Sequence, residues 1–156
     1  MKTLNDTLNE IKRRNTMFWI VMIIVLVIAV SITVVLLFDG PGRREIAELR
    51  FSPIDFNNLH DGMYVGNFKG EKSHLRDTQV EIVVSEGIVS DTKIIKGAID
   101  KNGEPMVLKG NRSVLQILDA VAQAKTLEVD VISGATITSK SHLKAMENAL
   151  VQAQNK

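Results

Sequence analysis

From Met17 to Phe38 the chain reads MFWIVMIIVLVIAVSITVVLLF, without a single charge. As a helix rising 1.5 Å per residue, these 22 residues span about 33 Å, enough to cross a hydrocarbon core of about 30 Å. A core helix of a small soluble domain should show a polar face, whereas this segment offers only Ser31 and Thr33. A signal peptide's apolar region runs about 7–15 residues and ends in small side chains. Here Leu36, Leu37, Phe38 and Asp39 close the run. The pattern therefore predicts one uncleaved transmembrane helix over 17–38, behind a tail at 1–16. Lys2, Lys12, Arg13 and Arg14 precede it and Arg43, Arg44 and Arg50 follow it. That bias favours a cytoplasmic N-terminus and an extracytoplasmic C-terminal part. Phe18 and Trp19 suit the aromatic belt at the entry side.

Beyond the span, DGPGRR reads as a turn, since Gly40, Pro41 and Gly42 extend a helix poorly. RREIAELRF suggests a short helix stopped by Pro53, and 39–58 reads as a linker to a domain at 59–156. From Leu59 the period falls to two. GMYVGNFKG is a strand with Tyr64 and Phe68 on one face. In TQVEIVVSEGIVSDTKIIK, Val80, Ile82 and Val84 alternate with polar neighbours, and the pattern resumes at Ile88 after Ser85, Glu86 and Gly87. That is a β-hairpin with a three-residue loop. A glycine-rich stretch follows, with room for a short strand at Met106–Leu108. SVLQILDAVAQAK then spaces Val114, Leu115, Ile117, Leu118, Val121 and Ala122 as one helix face behind Ser113, an N-cap residue. TLEVDVI returns to strand character. In the last segment Leu143, Met146, Leu150 and Ala153 form a helical stripe, with Lys140, Lys144, Glu147 and Gln152 opposite. Strands followed by helices without β-α-β alternation predict an α+β fold: a small antiparallel sheet with a β-hairpin, packed against two helices and preceded by the transmembrane helix.

Composition narrows the chemistry. With 19 basic and 18 acidic residues the formal net charge is +1, which gives nucleic acid no electrostatic invitation. Subtracting the four basic and two acidic residues of the N-terminal tail leaves 15 basic and 16 acidic from Asp39 onward. The absence of cysteine excludes disulfides, thiolate metal sites, iron–sulfur ligation and thioether haem, so any redox chemistry belongs to a borrowed cofactor. His60, His74 and His142 have no metal-binding spacing.

One stretch stands out, DVISGATITS at 130–139, at a strand-to-helix junction. Unpaired N–H groups and the positive end of the helix dipole favour an anion there. Gly134 and Ala135 let a ligand approach the backbone, and Ser133, Thr136 and Thr138 bring hydroxyls to it. Serine and threonine also cap helices routinely, and on the residues alone capping is the simpler reading.

The stretch resembles the flavinylation motif of the FMN-binding domain family: an acidic residue, two variable positions, Ser or Thr, Gly-Ala-Thr, and a further hydroxyl residue. Asp130, Ser133, Gly134, Ala135, Thr136 and Thr138 fill that pattern. DGMYVGNFKG, VEIVVSEGIVSDTKIIK and SKSHLKAMENAL resemble the family's opening strand, hairpin and last helix, so the likeness runs from about Asp61 to Ala153. The family includes flavin subunits of sodium-translocating NADH:quinone reductases and Rnf-type complexes, and this chain is similar to its short, membrane-tethered members. The resemblance implies FMN joined through its phosphate to Thr136, installed by a flavin transferase that takes the FMN moiety from FAD. Lys140 would help to offset the phosphate charge, and Ser133 and Thr138 would bond phosphate or ribityl oxygens. Asp130 would orient the loop or be read by the transferase, with an ordinary turn aspartate as the rival. Tyr64 and Phe68 would flank the flavin ring, with core packing the rival for at least one. The implied protein is an electron carrier between membrane or extracytoplasmic donors and acceptors, not an enzyme by itself. The alternative is a tethered binding or sensory module, or an accessory subunit, using the fold without covalent flavin.

Overall fold

A computed structural model describes residues 4–155, and the chain divides between Gly40 and Pro41 into two compact units. Helix α1 (Leu4–Ala47) forms the first and contributes its last seven residues to the second. The apolar side chains described from Met17 to Leu37 stand exposed. Within that run Ser31 Oγ donates to the Val27 carbonyl at 2.8 Å and Thr33 Oγ1 to that of Ala29 at 2.9 Å. Both hydroxyls are thereby satisfied inside the helix, as an apolar solvent requires. The stretch Lys12–Ala47 is long and apolar enough to cross a membrane.

The expected turn at Asp39–Arg44 does not form, and α1 continues through Pro41 to Ala47. Tertiary contacts outweigh propensity here. Ile46 is buried in the core, and the Glu45 carboxylate accepts the N–H groups of Glu71 and Lys72, each at 2.9 Å. A Cβ added to Gly42 would lie 2.5 Å from that of Ser73. Residues 41–58, expected as a linker, belong to the second unit: Phe56 is buried, and the Ser52 N–H donates to Glu147 Oε1 at 2.8 Å.

The second unit is built on a three-stranded antiparallel meander, β1 (Gly62–Phe68), β2 (Thr78–Ser85) and β3 (Ile88–Lys96). Val80, Ile82 and Val84 face the core, as their alternation predicts. Ser85 pairs with Ile88, so the loop has two residues rather than three. Glu86 and Gly87 both have positive φ, 55° and 72°, which a type I′ turn requires. Asp61 Oδ1 accepts the Gly87 N–H at 2.9 Å; bonds from Gly87 and then Glu86 hold its carboxyl below the usual range.

Helix α2 (Val114–Ala124) starts at a capping box, with Ser113 Oγ accepting from the Gln116 N–H and the Gln116 side chain accepting from the Ser113 N–H. Helix α3 (Thr136–Gln154) packs on β1 and β2 with one side and on α2 with another. Its buried surface is therefore wider than the predicted stripe, adding Ser139, Ser141, His142, Ala145, Glu147 and Ala149. Glu147, expected on the open face, is 2% exposed, and its Oε2 pairs with Lys144 Nζ at 2.7 Å. TLEVDVI forms no strand, although Leu127 and Ile132 are buried. Around Met106–Leu108 there are only the isolated bridges Ile99–Pro105 and Val107–Ser113. The α+β class and the hairpin packed on two helices stand as expected.

Candidate functional site

Ile132 to Ala135 form a turn closed by the Ala135 N–H donating to the Ile132 carbonyl at 2.9 Å. Gly134 sits third in it with φ +82°, the position at which a type II turn needs glycine. The Lys109 side chain lies across this glycine, its Cδ 3.1 Å from where a Cβ would be. The turn delivers the chain into α3 with Ala135 at the N-cap and no side-chain cap. The capping role available to Ser133, Thr136 and Thr138 is thus not taken up. The N–H groups of Thr136, Ile137 and Thr138 are left for an outside acceptor, at the positive end of a 19-residue helix.

A cavity of about 250 Å³ opens at this point, lined by Arg43, Arg76, Gly134, Ala135, Thr136, Ile137 and Thr138. Thr136 is exposed. Its hydroxyl has no hydrogen bond among the described residues, whereas Ser139 and Ser141 in the next turn spend theirs on the carbonyls of Ala135 and Thr138. Two arginines, the first amides of a long helix and a hydroxyl side chain lining one small cavity are the kinds of group that hold a phosphate.

A second cavity, about 330 Å³, meets the first at Arg76 and Thr138. Its walls are Leu75, Arg76 and Asp77 from the short turn before β2, Thr78 at its start, Gly97 and Ala98 after β3, Met106 and Leu108, and Thr138, Ser141 and His142 of α3. Leu75 is 75% and Met106 44% exposed, so the mouth is apolar and a flat hydrophobic ring would cover it. Asp77 is tied down by the Gly70 N–H at 3.1 Å and by Lys96 at 3.8 Å. His142 is buried. Its Nδ1 lies 2.7 Å from the Thr138 carbonyl, and its Nε2 accepts the Ala98 N–H at 3.0 Å. A backbone carbonyl only accepts and an amide only donates, which fixes the neutral tautomer with the proton on Nδ1. Burial pushes its pKa below 6.5, against the opposing pull of the Thr138 carbonyl.

Of the residues singled out from the sequence, Gly134, Ala135, Thr136 and Thr138 line the first cavity. Ser133 is exposed on the turn before it. Asp130 is exposed, and its carboxylate has no hydrogen bond among the described residues, so it does not hold the loop through backbone N–H bonds. Lys140 is engaged elsewhere, donating to the Ala47 carbonyl at 2.5 Å at the end of α1. Tyr64 is 6% exposed and its hydroxyl donates to the His60 carbonyl at 2.9 Å. Both its ring and that of Phe68 belong to the core, and neither lines the two cavities. Sequence reasoning missed Arg43, Leu75, Arg76, Met106, Leu108 and His142. Only the lone apolar Leu75, flanked by polar residues, carried a local signal.

Residues 76–151 match the model of the FMN-binding domain family. Over 108 residues the chain is 32% identical to the NADH:acrylate oxidoreductase of Vibrio harveyi. That match takes in 69% of this chain but 10% of the relative, so the chain spans a small part of that protein. Among solved structures it is similar to the CPE2226 protein of Clostridium perfringens, at 20% identity and a TM-score of 0.45, over 62% of this chain and 89% of that one.

Proposed function

We propose that this chain, whose residues 76–151 match the FMN-binding domain family, is a membrane-anchored flavoprotein carrying FMN on Thr136 and relaying electrons. The observation that carries this reading is the position of the Thr136 hydroxyl, unbonded and exposed at an uncapped helix N-terminus beside Arg43 and Arg76. The phosphate would take the first cavity, with its charge met by the two arginines and the amides of Thr136, Ile137 and Thr138. The ring would take the second, between the Leu75 and Met106 side chains and the Gly97–Ala98 backbone. FMN supplies the exchange of one or two electrons; the protein supplies binding, orientation and electrostatics.

Attachment is a phosphoryl-centred exchange in which the Thr136 Oγ1–phosphorus bond forms, the pyrophosphate P–O bond of FAD breaks, AMP leaves, and the hydroxyl proton goes to solvent or base. A flavin transferase supplies that catalysis. Asp130, exposed ahead of the turn, suits recognition by such an enzyme. α1 serves as the anchor, N-terminus in the cytoplasm, and the partners are electron carriers in or beyond the membrane. An ester removes the dissociation that would deplete a cofactor outside the cytoplasm.

The test is co-expression with a flavin transferase followed by intact mass and peptide mapping. The expected result is one FMN less one water on the peptide containing Thr136, with none on Thr136→Ala. An unmodified but functional wild-type chain would favour a noncovalent binding module.

A further inference from the structure

In the slot proposed for the ring, the Gly97–Ala98 wall after β3 and the wall from α3 come from residues far apart in sequence, and one side chain joins them. His142, 1% exposed, bonds the Ala98 N–H through Nε2 and the Thr138 carbonyl through Nδ1, and Ala98, Thr138 and His142 itself all line the slot. The surroundings are built around the ring. Gly97 has φ +126°, and a Cβ there would stand 2.4 Å from Nε2 and 2.9 Å from Thr78 Cγ2. Thr78 Oγ1 in turn donates to the Ser141 carbonyl at 3.0 Å.

We propose that His142 is the positioning residue of the flavin slot: its neutral imidazole staples the Gly97–Ala98 wall to the first turns of α3, and its protonation releases that wall. The inference rests on the flavoprotein reading for its ligand, though not for its geometry. Protonated Nε2 becomes a donor facing the Ala98 donor, so the bond is replaced by a repulsion of two N–H groups in a buried place. Arg76 and Asp77 are the charged groups that share the slot, with Lys96 on β3 and His74 held against Asp77. Asp77 is occupied by those partners and by the Gly70 N–H, and Ser141 Oγ is 3.4 Å from Nδ1. Among the described residues no carboxylate bonds the imidazole to offset a charge on it.

The direction with pH follows. The folded-state pKa of His142 is lowered from 6.5, so the unfolded or opened chain binds the proton first. The staple is fully present above about pH 6.5 and weakens as pH falls below it towards the folded value.

The experiment uses the full chain loaded with flavin, following flavin fluorescence anisotropy from pH 8 to about pH 5, with His142→Gln and His142→Phe alongside. Glutamine presents an oxygen near the Nε2 position and does not titrate; phenylalanine removes the acceptor. Wild type is expected to show a one-proton loss of anisotropy below pH 6.5, His142→Gln to keep high anisotropy without that transition, and His142→Phe to be low throughout. An unchanged acid transition in His142→Gln would overturn the proposal. Should either variant fail to fold, the imidazole nitrogen spectrum of the wild-type chain decides: a proton on Nε2 at neutral pH would overturn it, and one on Nδ1 supports it. That spectrum requires no flavin, so failure of the cofactor reading is seen separately, as absent FMN mass on a chain whose His142 tautomer is as described.

Discussion

Thr136 stands at the start of a helix without a side-chain cap, in a cavity that Arg43 and Arg76 also line, and the shape of its side chain decides what it can do. Serine keeps the oxygen, so Thr136→Ser should still take up flavin; valine keeps the shape without it, so Thr136→Val should take up none by intact mass. Because the side chain is exposed and unbonded among the described residues, Thr136→Val should shift unfolding by no more than about 0.5 kcal/mol. That variant also isolates noncovalent binding. In its background Arg76→Ala would remove the proposed charge-assisted bond to phosphate, worth about 1.5–3 kcal/mol, and should weaken FMN about tenfold or more in a fluorescence titration. Riboflavin, which has no phosphate, should be affected far less; equal losses for both would place Arg76 at the ring instead. Gly134 follows the same local logic. Its φ of +82° disfavours any Cβ, and alanine there should cost about 1 kcal/mol and misdirect the entry into α3.

Among the elements, α3 does the most, since it walls the slot, delivers Thr136 and packs on both the sheet and α2. Its seat on β1 depends on Gly66, where a Cβ would fall 1.9 Å from the Ala145 carbonyl oxygen and 2.5 Å from the Ala149 nitrogen. Neither backbone atom can yield without moving the helix, so Gly66→Ala should cost about 3 kcal/mol or more by urea unfolding. Glu147→Ala strands the Ser52 N–H and leaves Lys144 with the Arg50 carbonyl, and should cost about 2 kcal/mol, discounted because Lys144 is 23% exposed. The strands and α2 were legible because each buries one face, so period two and period 3.6 are written directly in Val80, Ile82, Val84 and in Val114, Ile117, Leu118, Val121. α3 was legible only in part. A helix buried on two sides has no clean polar face, and a paired Glu147 is indistinguishable in sequence from a solvated one. The continuation of α1 through Pro41 was illegible for a related reason: Glu45 and Gly42 meet partners 26 or more residues away.

On the scale of the molecule, the turn and helix start that line the first cavity were written in ten consecutive residues, but the walls of the second cavity were not. Leu75, Arg76, Ala98, Met106 and His142 meet only because the segments before β2 and after β3 converge on the first turns of α3, and no spacing rule encodes that meeting. Tyr64 was drawn into the site because aromatics are scarce outside the apolar segment; the fold spends it on the core. The division at Gly40–Pro41 makes the last prediction. Proline is well suited to the first turn of a helix, having no N–H to leave unpaired, so a chain beginning at Pro41 keeps a natural start for the segment that carries Arg43, Glu45 and Ile46. Residues 41–156 should therefore be recovered in the aqueous phase on detergent partitioning, with the urea midpoint of the sheet and helices unchanged, while the full chain follows the detergent through its exposed apolar run. Arg43 lines the first cavity from within this same unit. Flavin uptake by the shortened chain should consequently match that of the full chain wherever the transferase can reach it. A shortened chain that folds but takes no flavin in the presence of soluble transferase would mean that the apolar segment acts on attachment itself, beyond its role as an anchor.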